Sequence, residues 1–253
     1  MGYDAVLPGG ADFTAGPSIL LGKEGSGIPF TSLNLVSSGG EKAVFPRSRS
    51  IARGGLRVLV AGVLEEDGIP RDTLSDFGWK ILPAEAALSR FLQGEDAAAA
   101  DLVVILSRLS PGRNLAVARS SPVPVILLSP PSPDGAAPVF TMGSAVFQSR
   151  GKGTHLLEVS IPRATGERAR AGFAEGGAAK RYGERRRRLL AEMSAMDERR
   201  RSLYRKAVES YDDEIREADG KREISSRWIP LDANTPDDPK AASMIDAYRR
   251  ESP

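Results

Sequence analysis

The sequence predicts a soluble α/β protein built on a doubly wound, mainly parallel sheet, and three stretches carry that prediction. Leu102–Leu106 (LVVIL) and Val123–Leu128 (VPVILL) are nearly uninterrupted apolar runs, and Leu56–Val63 (LRVLVAGV) precedes them with one charge inside. Short β-branched runs of this kind read as strands buried on both faces, the texture of parallel sheets. Helical spacing between the runs completes the alternation of strand and helix that implies right-handed crossovers.

Composition bounds the rest. The chain has 253 residues, 41% hydrophobic and 27% charged, enough for one large domain with appendages. Aromatics stand at 6% while Gly (26) and Pro (18) are plentiful, so irregular segments are expected beside the core. A net charge of +2 gives no whole-protein case for nucleic acid or membrane. With no cysteine there is no disulfide, thiolate metal site or cysteine nucleophile, and His155 is the only histidine. No metal and no cofactor is expected. The first residues, MGYDAVLPGG, lack the basic and apolar regions of a secretory signal, and no run is long enough to span a bilayer, so the expectation is cytoplasmic.

Residues 1–55 read as a Gly/Ser/Pro-rich N-terminal arm, with Ser18–Leu21 and Leu33–Val36 as candidate edge strands. The stretch from Gly22 to Gly27 is not a phosphate loop, because Glu24 and Pro29 break the required pattern. The α/β domain spans 56–161. After Leu56–Val63 comes a short helix over Asp72–Phe77, then Trp79–Leu82 (WKIL) as an outer strand of the sheet. Pro83 starts a helix through Gln93, with Ala87, Leu88, Phe91 and Leu92 at helical spacing and Gly94 as its stop. Leu102–Leu106 and Val123–Leu128 follow, with room between them for a helix of two turns at Leu115–Arg119. Val139–Phe147 and Leu156–Ile161 extend the sheet or form a hairpin.

The pieces RVLVAGV, GWKILPAEAALSRFL, ADLVVILSRLSP and PVPVILLSP resemble, in order and texture, the receiver domain of response regulators over about Leu56–Ser129. That resemblance implies a receiver/flavodoxin-like fold. The chain departs from the family's chemistry. Ala61-Gly62 stand where the resemblance implies an acidic pair, with Glu65, Glu66 and Asp67 arriving later. Leu106-Ser107 stand at the phosphoacceptor position, only Ser129 matches a hydroxyl position, and Arg150 and Lys152 do not replace the lysine. The resemblance therefore implies a degenerate receiver without phosphoacceptor. Ligands of open α/β sheets bind beyond the carboxyl ends of strands, so Ser107, Arg108 and Ser129 are the ligand-binding candidates; no catalytic residue is assigned. His155, at a strand edge, reads as structural.

Residues 162–179 form a linker before a single long charged helix over 180–220 that Gly220 ends. Its apolar stripe, Leu189, Met193, Met196, Leu203, Ala207, Tyr211 and Ile215, approximates heptad spacing with Arg200 interrupting it. Basic residues, among them Arg185, Arg186, Arg187, Arg188, Arg199, Arg200 and Arg201, crowd Lys180–Lys206; acidic ones crowd Glu209–Asp219. Two copies laid antiparallel would cancel both halves, which motivates self-association along the stripe. The tail, 221–253, holds Trp228 and a short amphipathic helix starting at Asp238-Pro239, with Ala241, Met244, Ile245 and Tyr248 on one face.

The favoured function is a non-catalytic scaffold or assembly subunit, more no than yes as an enzyme, binding itself or other proteins through the helix and arms. Two alternatives stand beside it. One is a nucleic-acid-associated protein working through Arg185–Arg201, and the other an enzyme or small-molecule binder at the strand ends.

Overall fold

A computed structural model describes the chain except residues 1, 15, 17–19, 22–26, 67–68, 131–136, 151–153, 165–170, 232–234 and 236–253. The amphipathic tail helix expected at Asp238–Arg250 and most of the rejected phosphate loop lie outside the described residues.

The central sheet has six strands: β2 (Ser48–Arg53), β3 (Leu56–Val63), β5 (Leu102–Ser107), β6 (Val125–Ser129), β8 (Ser144–Gln148) and β7 (Val139–Thr141), in that spatial order. The inner run β3-β5-β6-β8 is parallel, and both edges are antiparallel. The three apolar runs supply its middle, where strands must be apolar on both faces. The sheet is nevertheless mixed, and its parallel strands advance in one direction without reversing. That corrects the doubly wound, receiver-like expectation. Right-handed crossovers that keep moving one way place every helix on the same face, and only a reversal would put helices on the other.

That one face carries α3 (Ala84–Leu92), α4 (Glu95–Ala99) and α5 (Pro111–Ser120). Their Ala84, Leu88, Leu92, Ala97, Val117 and Ala118 pack on Leu59, Ala61, Val63, Val103, Ile105 and Leu127. The opposite face is covered by a three-stranded sheet ordered β10 (Phe173–Glu175), β11 (Arg222–Pro230), β9 (His155–Ser160). Phe173 and Ile224 from it meet Leu102, Ile126, Ala145 and Phe147. The layers are helices, mixed sheet, small sheet.

Trp79–Ile81 is a strand, β4, but not of the central sheet. It pairs antiparallel with β1 (Leu35–Ser37). Trp79 is drawn away by an aromatic cluster with Phe13, Phe45 and Phe77, whose rings meet it edge-on at 5.3–6.3 Å. Phe30, Leu35, Leu64, Ile69 and Leu74 join them in a second core. The described part of the N-terminal arm is thus packed structure, including a first short helix, α1 (Gly10–Thr14), and α2 (Arg71–Asp76) brings Leu74 to the same core. Asn34, fully buried, fastens it: its amide donates to the carbonyls of Leu64 (2.8 Å) and Leu82 (2.9 Å) and accepts from Leu64 N–H (3.0 Å).

The long helix divides into α6 (Ala178–Ser194) and α7 (Glu198–Ala218). Asp197 caps α7 by accepting from Arg200 N–H at 2.9 Å. Arg201 closes the first helix, donating to the Met193 and Ser194 carbonyls at 3.0 and 3.2 Å. The two helices pack antiparallel, with Tyr182 against Tyr211 (6.2 Å) and Arg186 paired to Asp212. Leu189, Met193, Met196, Ala207, Tyr211 and Ile215 are half-buried along it, and Leu203 alone of the stripe is 75% exposed. Basic half lies on acidic half within one chain, so the charge pattern needs no second copy. The hairpin is also the crossover that lets β10 and β11 run parallel.

Candidate ligand site at the strand ends

The carboxyl ends of β3, β5, β6 and β8 form one rim, because their registers put Val63 beside Ser107 and Ser129 beside Gln148. The segment around Val6–Asp12 lies over it. Gly62 makes that approach possible: a Cβ there would strike the Thr31 carbonyl and sit 2.7 Å from Leu7 Cδ1.

The three residues expected to bind ligand reach this rim, but only one remains free. Ser107 is buried, and its hydroxyl donates to Asn114 Oδ1 (2.6 Å) while accepting from Leu109 N–H (3.1 Å). Asn114 Nδ2 returns to the Leu109 carbonyl at 3.0 Å, so Ser107 shapes the β5–α5 loop. Ser129 is buried as well and donates to the Phe147 carbonyl at 3.3 Å, tying β6 to β8. Both hydroxyls are spent on the fold.

Arg108 differs. Its backbone N–H donates to the Val63 carbonyl (3.0 Å), which fixes where the side chain leaves the strand. The exposed guanidinium lies over Gly9, with Nη1 3.4 Å from where a Cβ would stand, and no partner for it exists among the described residues. On the other side of Gly9 is Asp12, whose Oδ2 accepts the Gly9 N–H at 2.6 Å and lies 3.6 Å from the same Cβ position. Sequence reasoning missed Asp12 and Gly9, because the loop that carries them reaches the rim only through tertiary packing.

Gln148 was also missed. It ends β8, and its Oε1 is buried without a hydrogen-bond partner. An orphaned polar atom of this kind is rare in folded proteins.

Beside the rim the acids Glu65 and Glu66 belong to another construction. Arg113, on α5, holds Glu65 (3.1 Å), Glu66 (3.0 Å) and Glu85 (2.8 Å) at once. Glu66 Oε1 also accepts from Ala84 N–H at 2.9 Å, at the start of α3. Burial pushes the Glu66 carboxyl up, but the Arg113 and Ala84 hydrogen bonds outweigh it and hold it below the ordinary 4.5. The Arg113 hydrogen bond lowers Glu85 likewise, and Glu85 first and Glu66 next raise Arg113. Asp67 lies outside the described residues.

Among the described residues no group of three or more His, Cys, Asp or Glu is placed to hold a metal ion. His155 sits on β9 in the small sheet, its ring 6.5 Å from Trp228 and Nδ1 2.9 Å from Thr154 Oγ1. Among the arginines marked for partner contact, Arg186, Arg200 and Arg201 serve the hairpin, and Arg185 lies over the Tyr182 ring at 5.9 Å. Arg187, Arg188 and Arg199 are exposed on it. No helix is long and apolar enough to cross a membrane among the described residues.

The sequence matches no family model and no curated protein. The fold has solved counterparts. Calcineurin-like phosphoesterase YfkN from Bacillus subtilis superposes with a TM-score of 0.55 at 12% identity, covering 98% of this chain and 70% of that one. The Thermus thermophilus sulfate thiohydrolase SoxB gives 0.54 at 20% identity, over 63% of this chain and 30% of its own. A putative 5'-nucleotidase from Staphylococcus aureus gives 0.52 at 15%, over 64% and 35%. The match thus spans about a third of the last two chains. The fold is the mixed α/β sheet of these phosphoesterases and nucleotidases, not that of a receiver domain. The three counterparts are by name a phosphoesterase, a thiohydrolase and a nucleotidase. They overturn the expectation of a non-catalytic scaffold.

Proposed function

We propose that this chain acts on a phosphate ester, or a closely related oxyanion ester, at the carboxyl rim of its six-stranded sheet. The observation that carries the proposal is Arg108: an exposed guanidinium, unpaired among the described residues, at the end of the central strand β5 and seated on a glycine. A planar guanidinium takes two oxygens of a phosphoryl group at once and stabilises the charge they gain as the ester bond breaks. The Asp12 carboxylate, across Gly9, accepts the proton of an attacking water. Gln148 stands two strands from Arg108, about 10 Å at ordinary strand spacing, the reach of a nucleoside monophosphate. Its half-buried side chain is suited to hold the far end of such an ester. The fold of the phosphoesterase and nucleotidase counterparts supports the same reading.

The test is release of phosphate or p-nitrophenol from adenosine 5'-monophosphate and p-nitrophenyl phosphate. Turnover is expected to collapse in Arg108→Ala and to fall in Asp12→Asn while both proteins stay folded. Equal turnover in Arg108→Ala and the unaltered protein would defeat the proposal.

A further inference from the structure

Phosphatases that use two-metal centres hold the ions about 3.5–4 Å apart on several converging side chains, and the metals supply the positive charge for the transferring group. Among the described residues the rim of this protein does not offer such a set. Soft or imidazole ligation is ruled out by composition, since the chain has no cysteine and its single histidine lies in another layer. Hard-cation ligation needs several free oxygens. Glu65, Glu66 and Glu85 are drawn together by Arg113, and Asp12 accepts the Gly9 N–H. Among the described residues the charged group left without an ion-pair partner there is itself a cation, Arg108.

We infer that the rim binds its oxyanion without a metal ion, Arg108 supplying the charge that a metal centre would otherwise supply. This rests on the phosphate-ester reading of the same rim and goes beyond it by naming what holds the anion. Arg108 stays unpaired in the free protein because its counter-ion is the ligand. Gly9 leaves its face open, since a side chain there would occupy the space beside Nη1.

The experiment uses the full chain, dialysed against EDTA, titrated calorimetrically with inorganic phosphate and with adenosine 5'-monophosphate. Metal content is read by elemental mass spectrometry on the same sample. Binding is expected to survive EDTA with no stoichiometric metal present. Arg108→Ala should weaken it at least about tenfold, the loss of one charge-assisted bidentate contact. Arg108→Lys should retain part of it, because the charge remains while the fork is lost. Circular dichroism shows that each variant is folded. Binding that disappears in EDTA and returns with Mn²⁺ or Zn²⁺ would overturn the inference while leaving the rim as the site. Metal-free binding that ignores Arg108 would also overturn it, since the anion would then sit elsewhere. No binding with or without metal would sink the phosphate-ester reading as well.

Discussion

Arg108 and Arg113 stand five positions apart in sequence and have opposite circumstances. Arg113, at the start of α5, is wrapped by three carboxylates, one of which also holds the first turn of α3. Arg108, at the end of β5, faces outward over Gly9 with no ion-pair partner among the described residues. Charge alone therefore does not mark a functional residue. A guanidinium whose donors are filled from inside the molecule serves stability, whereas one left open at a strand end is available to a ligand. Arg222 is a third case: 6% exposed and stacked on Phe173 at 4.4 Å, with Nε and Nη1 buried and unpartnered. Burial without a partner pulls its pKa down.

Substitution should separate the three. Arg108→Ala is expected to reduce kcat/KM on a phosphate ester by about a hundredfold, the scale of removing one transition-state donor, with the melting temperature unchanged. A drop in stability of the same order as in Arg113→Ala would erase the contrast. Arg113→Ala should instead lower unfolding free energy by about 2 kcal/mol, since it strands three carboxylates beside one another. Chemical denaturation measures that loss, and turnover per folded molecule should persist.

Acid sharpens the same difference. Glu66 and Glu85 are held below 4.5 in the folded state, so the folded protein binds fewer protons there than the unfolded chain. Their contribution is fully present above pH 4.5 and is lost as the pH falls through the folded values. Melting temperature plotted against pH should bend downward there, and Arg113→Ala should flatten the bend. The smallest effect is expected at Arg222. Arg222→Met removes two orphaned donors and a cation–π contact of about 1 kcal/mol, giving a net gain near 1 kcal/mol, or roughly 2–4 °C in melting temperature. A fall in melting temperature would mean that the guanidinium is satisfied in solution.

The strands of the parallel core were legible, because apolar runs such as Leu102–Leu106 report burial on both faces whatever the connections are. The order in which the sheet winds was not, since it depends on which face each crossover takes and no local pattern encodes that. Trp79–Ile81 misleads for a related reason: it has strand texture, but an aromatic cluster assembled from distant residues decides which sheet it joins. The helical hairpin was half legible. Antiparallel charge complementarity was readable, yet the pattern alone says neither that the helix turns at Asp197 nor whether the partner is another molecule. Of the rim, Arg108 was found by the strand-end rule, whereas Gly9, Asp12 and Gln148 needed the fold to bring them there.

The small sheet that covers the far face of the central one has a consequence for the order of assembly. Its middle strand, β11, is the only one bonded to both β9 and β10, and it is the last element described. While the chain emerges from the ribosome, Leu102, Ile126, Ala145 and Phe147 therefore wait incompletely covered until Ile224 arrives. The helical face, made from residues between 84 and 118 and the strands around them, closes much earlier. A nascent chain stalled within α7 would be a half-sealed sheet with a sticky side, the kind of intermediate that chaperones shield. The hairpin, by placing 41 residues between Ala178 and Ala218 ahead of the closing strand, sets how long that exposure lasts.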